Sequence, residues 1–246
     1  MAHHSLARTG HRPWPIPSGC WNWRQDWRDL LFAHWPVSAS RLRSLVPEGL
    51  QIREFAGAAW IGIVPFRMGA TLRPLPFIPF VSRFPELNVR TYVEKDGKPG
   101  VWFLSLDADS SPAVWAARRL YHLPYHKSSM RMAREGNWTT LESERPSPDG
   151  PVRFKGRYRP CPEAFEASLG SIEHFLVENY RLYCQSPDGA LHAIDVHHVP
   201  WPLRRAEAQL ETANLVEAFG IQLGGQPAHL HYSAGVEVLA WPMRTA

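Results

Sequence analysis

From Glu86 to Val93 polar and apolar residues alternate without a break. Successive side chains of a strand point to opposite faces. Leu87, Val89, Thr91 and Val93 therefore share one face, and Glu86, Asn88, Arg90 and Tyr92 the other. Asp96-Gly97 supplies a turn, and the chain returns from Val101 to Asp107, which predicts a hairpin. With the polar row turned inward, this strand is the floor of a pocket. With that row in water, it is an ordinary half-wet sheet strand. The pattern alone leaves both readings open.

The rest of the chain reads as short elements, mostly strands. Trp23 to Val37 predicts a long strand with a twist or bulge. Ser38 or Ser40 caps a short helix that ends before Pro47-Glu48-Gly49. Leu50 to Phe55 and Ala58 to Phe66 read as a hairpin around Ala56-Gly57. Arg67 to Pro85 carries too many prolines for a central strand or a helix, so it reads as a long apolar loop. Such a loop serves as a lid or as a subunit contact. Ser111-Pro112 starts a helix that Pro124 ends. Tyr125 to Ala133, Trp138 to Arg145 and Val152 to Tyr158 follow as a strand meander. Ser168 or Ser171 opens a second helix, and Tyr180 to Tyr183, Ala190 to Val199 and His229 to Val238 read as strands. Leu203, Ala206, Leu210 and Ala213 allow a helix as far as Gly220. Residues 1–20 read as a flexible arm and 21–246 as one α+β domain dominated by antiparallel strands.

Composition narrows the function classes. The chain has 23 prolines, 17 glycines, 11 tryptophans and 11 phenylalanines, which favours many strands and turns around a large core over a helical bundle. The net charge of +4 is spread along the chain as arginines, with no basic run. Arg118-Arg119 and Arg204-Arg205 are isolated pairs, so nucleic-acid binding is not expected. No apolar run approaches a membrane span, and no signal-like segment begins the chain. Cys20, Cys161 and Cys184 are odd in number and scattered, which fits a reduced cytoplasmic protein. Neither a Gly-x-Ser-x-Gly step nor a Gly-x-Gly-x-x-Gly step is present. His192, Asp195, His197 and His198 carry metal-capable atoms without an accompanying motif, and packing roles are expected for them, with no metal and no external cofactor.

Several strings together resemble the signature of the YqjF-like family, uncharacterised bacterial proteins defined as a domain of unknown function. They are Phe32-Ala33-His34-Trp35, Gly57-Ala58-Ala59-Trp60, Glu86 through Val93, Gly100 through Phe103, Leu123-Pro124-Tyr125, Phe175-Leu176 with Tyr180 through Tyr183, and His198 through Leu203. The resemblance runs from about Trp21 to the C-terminus. It implies a fold like that of acetoacetate decarboxylase, a closed or partly open β-barrel with a few short helices around a cavity. Enzymes of that fold form a Schiff base on a lysine, with a glutamate and an arginine in the cavity. Their Pro-Lys-Lys step would fall on Pro124, Tyr125 and His126, and neither of the last two is lysine.

The candidate catalytic residues are Glu86, Arg90, His126 and Lys127, and the candidate binding residues Asn88, Tyr92, Tyr125, Tyr180 and Tyr183. Arg90 suits a carboxylate and Glu86 a general base. An ion pair between the two is the structural alternative. Tyr125 and Lys127 share a strand face and His126 takes the other, so only one of His126 and Lys127 is expected in the cavity. Two functions stay open: a cofactor-independent enzyme acting on an oxo or carboxylate compound, and a non-catalytic binding or sensing module. A buried Lys127 favours the first and an exposed one the second. A small molecule is the expected partner, and a homo-oligomer is allowed.

Overall fold

The computed structural model describes residues 3–73, 83–212 and 214–246. Fourteen strands form one sheet. They are β1 (Trp23–Val37), β2 (Gln51–Ile52), β3 (Ala59–Leu72), β4 (Arg83–Lys95), β5 (Lys98–Ala108), β6 (Tyr125–Lys127), β7 (Ser129–Glu135), β8 (Trp138–Arg145), β9 (Val152–Phe165), β10 (Arg181–Gln185), β11 (Leu191–His197), β12 (Leu203–Glu211), β13 (His229–Ala240) and β14 (Arg244–Thr245). The α-helices are α1 (Ala39–Leu42), α2 (Ser111–Tyr121) and α3 (Ile172–Val177). β6 and β10 pair with β5 in parallel, and the other strand pairs are antiparallel. The path β11-β10-β5-β4-β3-β1-β13 returns on itself through Val196↔Ala240 and His197↔Leu239. The fold is α+β, mostly antiparallel, with this ring as a partly open barrel.

From β13 the sheet continues outward as β12-β9-β8-β7 and folds back over the ring. Leu31, Ala33, Ile61, Ile63, Leu87 and Val89 on the outer side of β1, β3 and β4 thus pack with Leu141, Phe154 and Tyr158 of that second layer. The inner side holds a separate core that includes Phe32, Val64, Phe66, Tyr92, Leu106 and Trp201. Strand β4 is therefore buried on both faces.

Local chemistry explains the turns. Asp96 and Gly97 both have positive φ (51° and 70°), which the two-residue turn between β4 and β5 requires. The expected irregularity in β1 falls at Asp29, where φ is 55° and the pairing with β3 shifts. Tyr158 donates to the Asp29 carbonyl at 2.6 Å and Tyr232 to its carboxylate at 3.0 Å, which hold the bulge. Opposite it, a Cβ on Gly235 would stand 1.9 Å from the Trp27 carbonyl, so β13 can pass the bulge only with glycine there.

Four expectations are corrected. Residues 203–211 form strand β12, not a helix, because Arg204, Ala206, Ala208 and Leu210 alternate half-buried with exposed Arg205, Glu207, Gln209 and Glu211 against β9. The segment from Leu50 is no hairpin partner of β3. Only Gln51 and Ile52 are strand, and they pair with β4, while Phe55 bridges Ala58 across the Ala56-Gly57 turn. The ends of the proline-rich stretch belong to β3 and β4, and the lid or contact reading concerns 74–82, outside the described residues. Helix α2 is capped one residue early, by Ser110. Within residues 3–20, Arg12 donates to the Val196 carbonyl at 2.6 Å, and His197 is bonded to the Ser5 carbonyl at 2.9 Å. No helix among the described residues is long and apolar enough to cross a membrane.

Candidate functional site

The polar row of β4 faces into the ring. Its neighbours across the sheet fix this: Glu86 lies opposite Phe66, Asn88 opposite Val64 and Arg90 opposite Gly62. An inner cavity of about 90 Å³ is lined by Glu86, Asn88, Arg90 and Tyr125 together with Gln25, Trp27, Asn179, Arg181, His198 and Trp201. An apolar outer cavity of about 270 Å³ adjoins it, lined by Trp23, Ala70, Phe84, Ala113, Ala117 and Ile194 among others. Gln25, Met68, Leu123, Tyr125, Leu182 and Val196 contribute to both.

Glu86 and Arg90 do not pair. Tyr125 donates its hydroxyl to Glu86 Oε2 at 2.8 Å. Burial pushes the Glu86 carboxyl up to about 8, with Asp107 adding to the rise and the Tyr125 bond opposing it. Burial thereby favours the protonated form of Glu86. Arg90 is 7% exposed. Its Nε donates to the Tyr92 hydroxyl and its Nη2 to the Leu176 carbonyl, each at 3.3 Å, and its guanidinium lies 5.5 Å from the Phe32 ring. Among the described residues no carboxylate reaches it within ion-pair distance. Asn88, between the two, has a buried Oδ1 without a hydrogen-bond partner.

Behind Arg90 lies a second polar layer. Tyr92 is hydrogen-bonded to His34 Nε2 at 2.6 Å. Burial, then Arg90, holds the His34 imidazole well below its usual range. Gly62 makes this contact possible: a Cβ there would stand 2.9 Å from His34 Nε2 and 3.2 Å from the Tyr92 hydroxyl. Tyr92 therefore supports Arg90 from beneath, outside the cavity lining.

The remaining candidates lie elsewhere. Strand β6 has only three residues, of which Tyr125 alone is buried. Lys127, with its side chain 49% exposed, pairs with Asp109 on the surface. His126 is exposed as well. Neither lines either cavity, although β6 stays paired with β5 as far as Lys127. Lys95 pairs with Asp96 and Lys155 with Glu142, and neither these nor Lys98 lines the cavities. No lysine faces the site. Tyr180 spends its hydroxyl on Glu178 and stacks on His198 at 4.7 Å. Tyr183 donates to the Lys98 carbonyl at 2.7 Å and packs in a separate core. Neither tyrosine lines the inner or the outer cavity.

Asn179, Arg181, His198 and Trp201 line the cavity without having been picked out for it. Arg181 is held by Asp195 through two bonds of 2.9 and 3.1 Å, and Arg244 pairs with the same carboxylate. His192 bonds Ser186, His197 the Ser5 carbonyl and His198 the Val199 carbonyl. The four metal-capable residues of β11 and its end thus each bond a different part of the chain.

The chain has relatives in sequence and in fold. It belongs to a family described as an uncharacterized conserved protein, DUF2071, whose model matches residues 24–237. The uncharacterized protein YqjF of Bacillus subtilis (strain 168) is 43% identical over 230 residues, covering 93% of this chain and 94% of its own length. Among solved structures, acetoacetate decarboxylase from Legionella pneumophila superposes with a TM-score of 0.66 at 11% identity, over 100% of this chain and 96% of that one. The enduracididine biosynthesis enzyme MppR complexed with pyruvate gives 0.63 at 12% identity, over 96% and 93%. These likenesses show a shared fold.

Proposed function

We propose that the inner cavity binds a small molecule bearing a carboxylate, with Arg90 as its counter-ion. The observation that carries this reading is the buried guanidinium of Arg90 without a carboxylate partner. A buried charge is costly unless it is paired. Arg145 and Arg181, equally buried, are each paired within the chain, at 2.7 Å to Asp107 and 2.9 Å to Asp195. Arg90 is left for a partner from outside. Neutral Glu86 can donate to the same ligand, and the free Asn88 oxygen can accept from it. The apolar outer cavity suits the remainder of such a molecule. The structural neighbour holding pyruvate belongs to the same fold, which supports the ligand class without deciding it.

Binding without Schiff-base chemistry is the reading that the surface position of Lys127 favours. Acid–base catalysis is the second reading. It rests on Glu86, a carboxyl raised to about 8 inside a cavity, which is where a proton-transferring group is expected. The odd, scattered cysteines support a reducing, cytoplasmic setting. A thermal-shift screen of carboxylic acids of graded chain length against their amides tests the proposal. Acids should raise the melting temperature and amides should not. Equal shifts from both would remove the carboxylate reading. Mass spectrometry of the recovered hits then separates the two versions: unchanged ligand means binding, and product formation lost in Glu86→Gln means catalysis.

A further inference from the structure

The inner side of the ring holds a second group of chemistry-bearing side chains, beside α3. His229 and His231 are two residues apart on β13, so they share a face. That face is the inner one, since they pair with His34 and Phe32 of β1. Glu173 comes from the first turn of α3. The ligand atoms of the three all lie within 4.8 Å of one another. His231 Nε2 stands 3.9 Å from Glu173 Oε1, which is too long for a hydrogen bond. His231 is 4% exposed, and its Nδ1 is buried without a partner. Among the described residues no group hydrogen-bonds its ring. A buried imidazole in that condition needs an explanation.

We propose that Glu173, His229 and His231 form a site for a divalent transition metal of the zinc type. Two imidazoles and one carboxylate are a donor set that Zn²⁺ accepts, and three protein ligands leave one position open. In a tetrahedral site, bonds of about 2.1 Å place ligand atoms about 3.4 Å apart, so the half-buried Glu173 and His229 must close in by up to about 1.4 Å. The opposing feature is Arg205, which pairs with His231 across β12 and β13 and brings a positive charge to both imidazoles. The site is independent of the carboxylate reading, but it has a consequence for it. Arg90 Nη2 bonds the Leu176 carbonyl of α3, and Val177 and Asn179 line the inner cavity. A metal tying α3 to β13 fixes that wall.

The test uses untagged full-length protein stripped with a chelator and titrated calorimetrically with Zn²⁺ alone. One equivalent should bind at micromolar concentration or tighter. Glu173→Gln and His229→Gln should each weaken binding by about tenfold or more, as loss of a ligand requires. Arg205→Gln should tighten it. These variants are chosen because their side chains are not fully buried, and circular dichroism confirms that each folds. A double His3→Ala, His4→Ala variant removes the other candidate group, His3, His4 and Glu237, and should leave binding unchanged. Absence of micromolar Zn²⁺ binding in the wild type overturns the proposal. So does unchanged affinity in Glu173→Gln and His229→Gln, or loss of binding in the His3, His4 variant.

Discussion

Arg90 and Arg181 line the same cavity, from β4 and from β10, and both are at least nine-tenths buried. Their surroundings differ in one respect. Arg181 is clamped by two bonds from Asp195, whereas Arg90 has a phenol, a carbonyl and an aromatic ring. The first arrangement is complete within the chain. The second compensates the charge only through neutral dipoles, and the nearby carboxyl that could have neutralised it, Glu86, bonds Tyr125 instead. On the proposed reading, the difference separates a charge that holds the fold from one kept for a ligand.

The largest effect should come from attacking the completed arrangement. Asp195→Asn leaves Arg181 and Arg244 without their shared anion, and removing one partner of a buried pair costs about 3–5 kcal/mol. Denaturant unfolding should show that loss, while Arg90→Met should leave stability close to wild type or above it. A comparable destabilisation by both would erase the contrast.

Next comes pH. Glu86 has a folded pKa of about 8 against 4.5 for the ordinary carboxyl. Between those values the unfolded chain gives up a proton that the folded chain keeps, so this group makes stability fall as pH rises. The loss is complete above about pH 8 and amounts to a few kcal/mol. Glu86→Gln should flatten the stability profile between pH 5 and 8, measured by urea unfolding across that range. A profile identical to wild type would mean that Glu86 is ionised in the fold.

Gly62→Ala should cost about 1–3 kcal/mol by forcing His34 and Tyr92 apart. Because Tyr92 supports Arg90, ligand affinity should fall with it. Smallest of all is Lys127→Ala, a surface change expected within about 0.5 kcal/mol of wild type and without effect on ligand binding.

The polar row of β4 was readable because strict alternation and a two-residue turn fix strand and face together. What covers each face was not, since it depends on β8 and β9 folding back from about sixty residues further on. Tyr125 could be placed by its string, but the surface pairing of Lys127 with Asp109 left no mark in the sequence. The positions Leu203, Ala206 and Leu210 satisfy a helical period, and pairing with β9 decided for a strand. Tyr180 and Tyr183 are held by Glu178, His198 and the Lys98 carbonyl, contacts that no local pattern encodes. The Glu173, His229 and His231 group joins a short helix to a strand more than fifty residues away. Its only sequence sign was the His-x-His spacing, which is weak alone.

The affinity of one carboxylate ligand for wild type and for Arg90→Met, at pH 7 and with both proteins shown to be folded, tests the central claim most directly. Loss of a charge-assisted contact in a buried site predicts weakening by about tenfold to a hundredfold, with the melting temperature of the free protein unchanged or raised. Equal affinity in the two proteins would show that the unpaired guanidinium of β4 is not where the ligand binds.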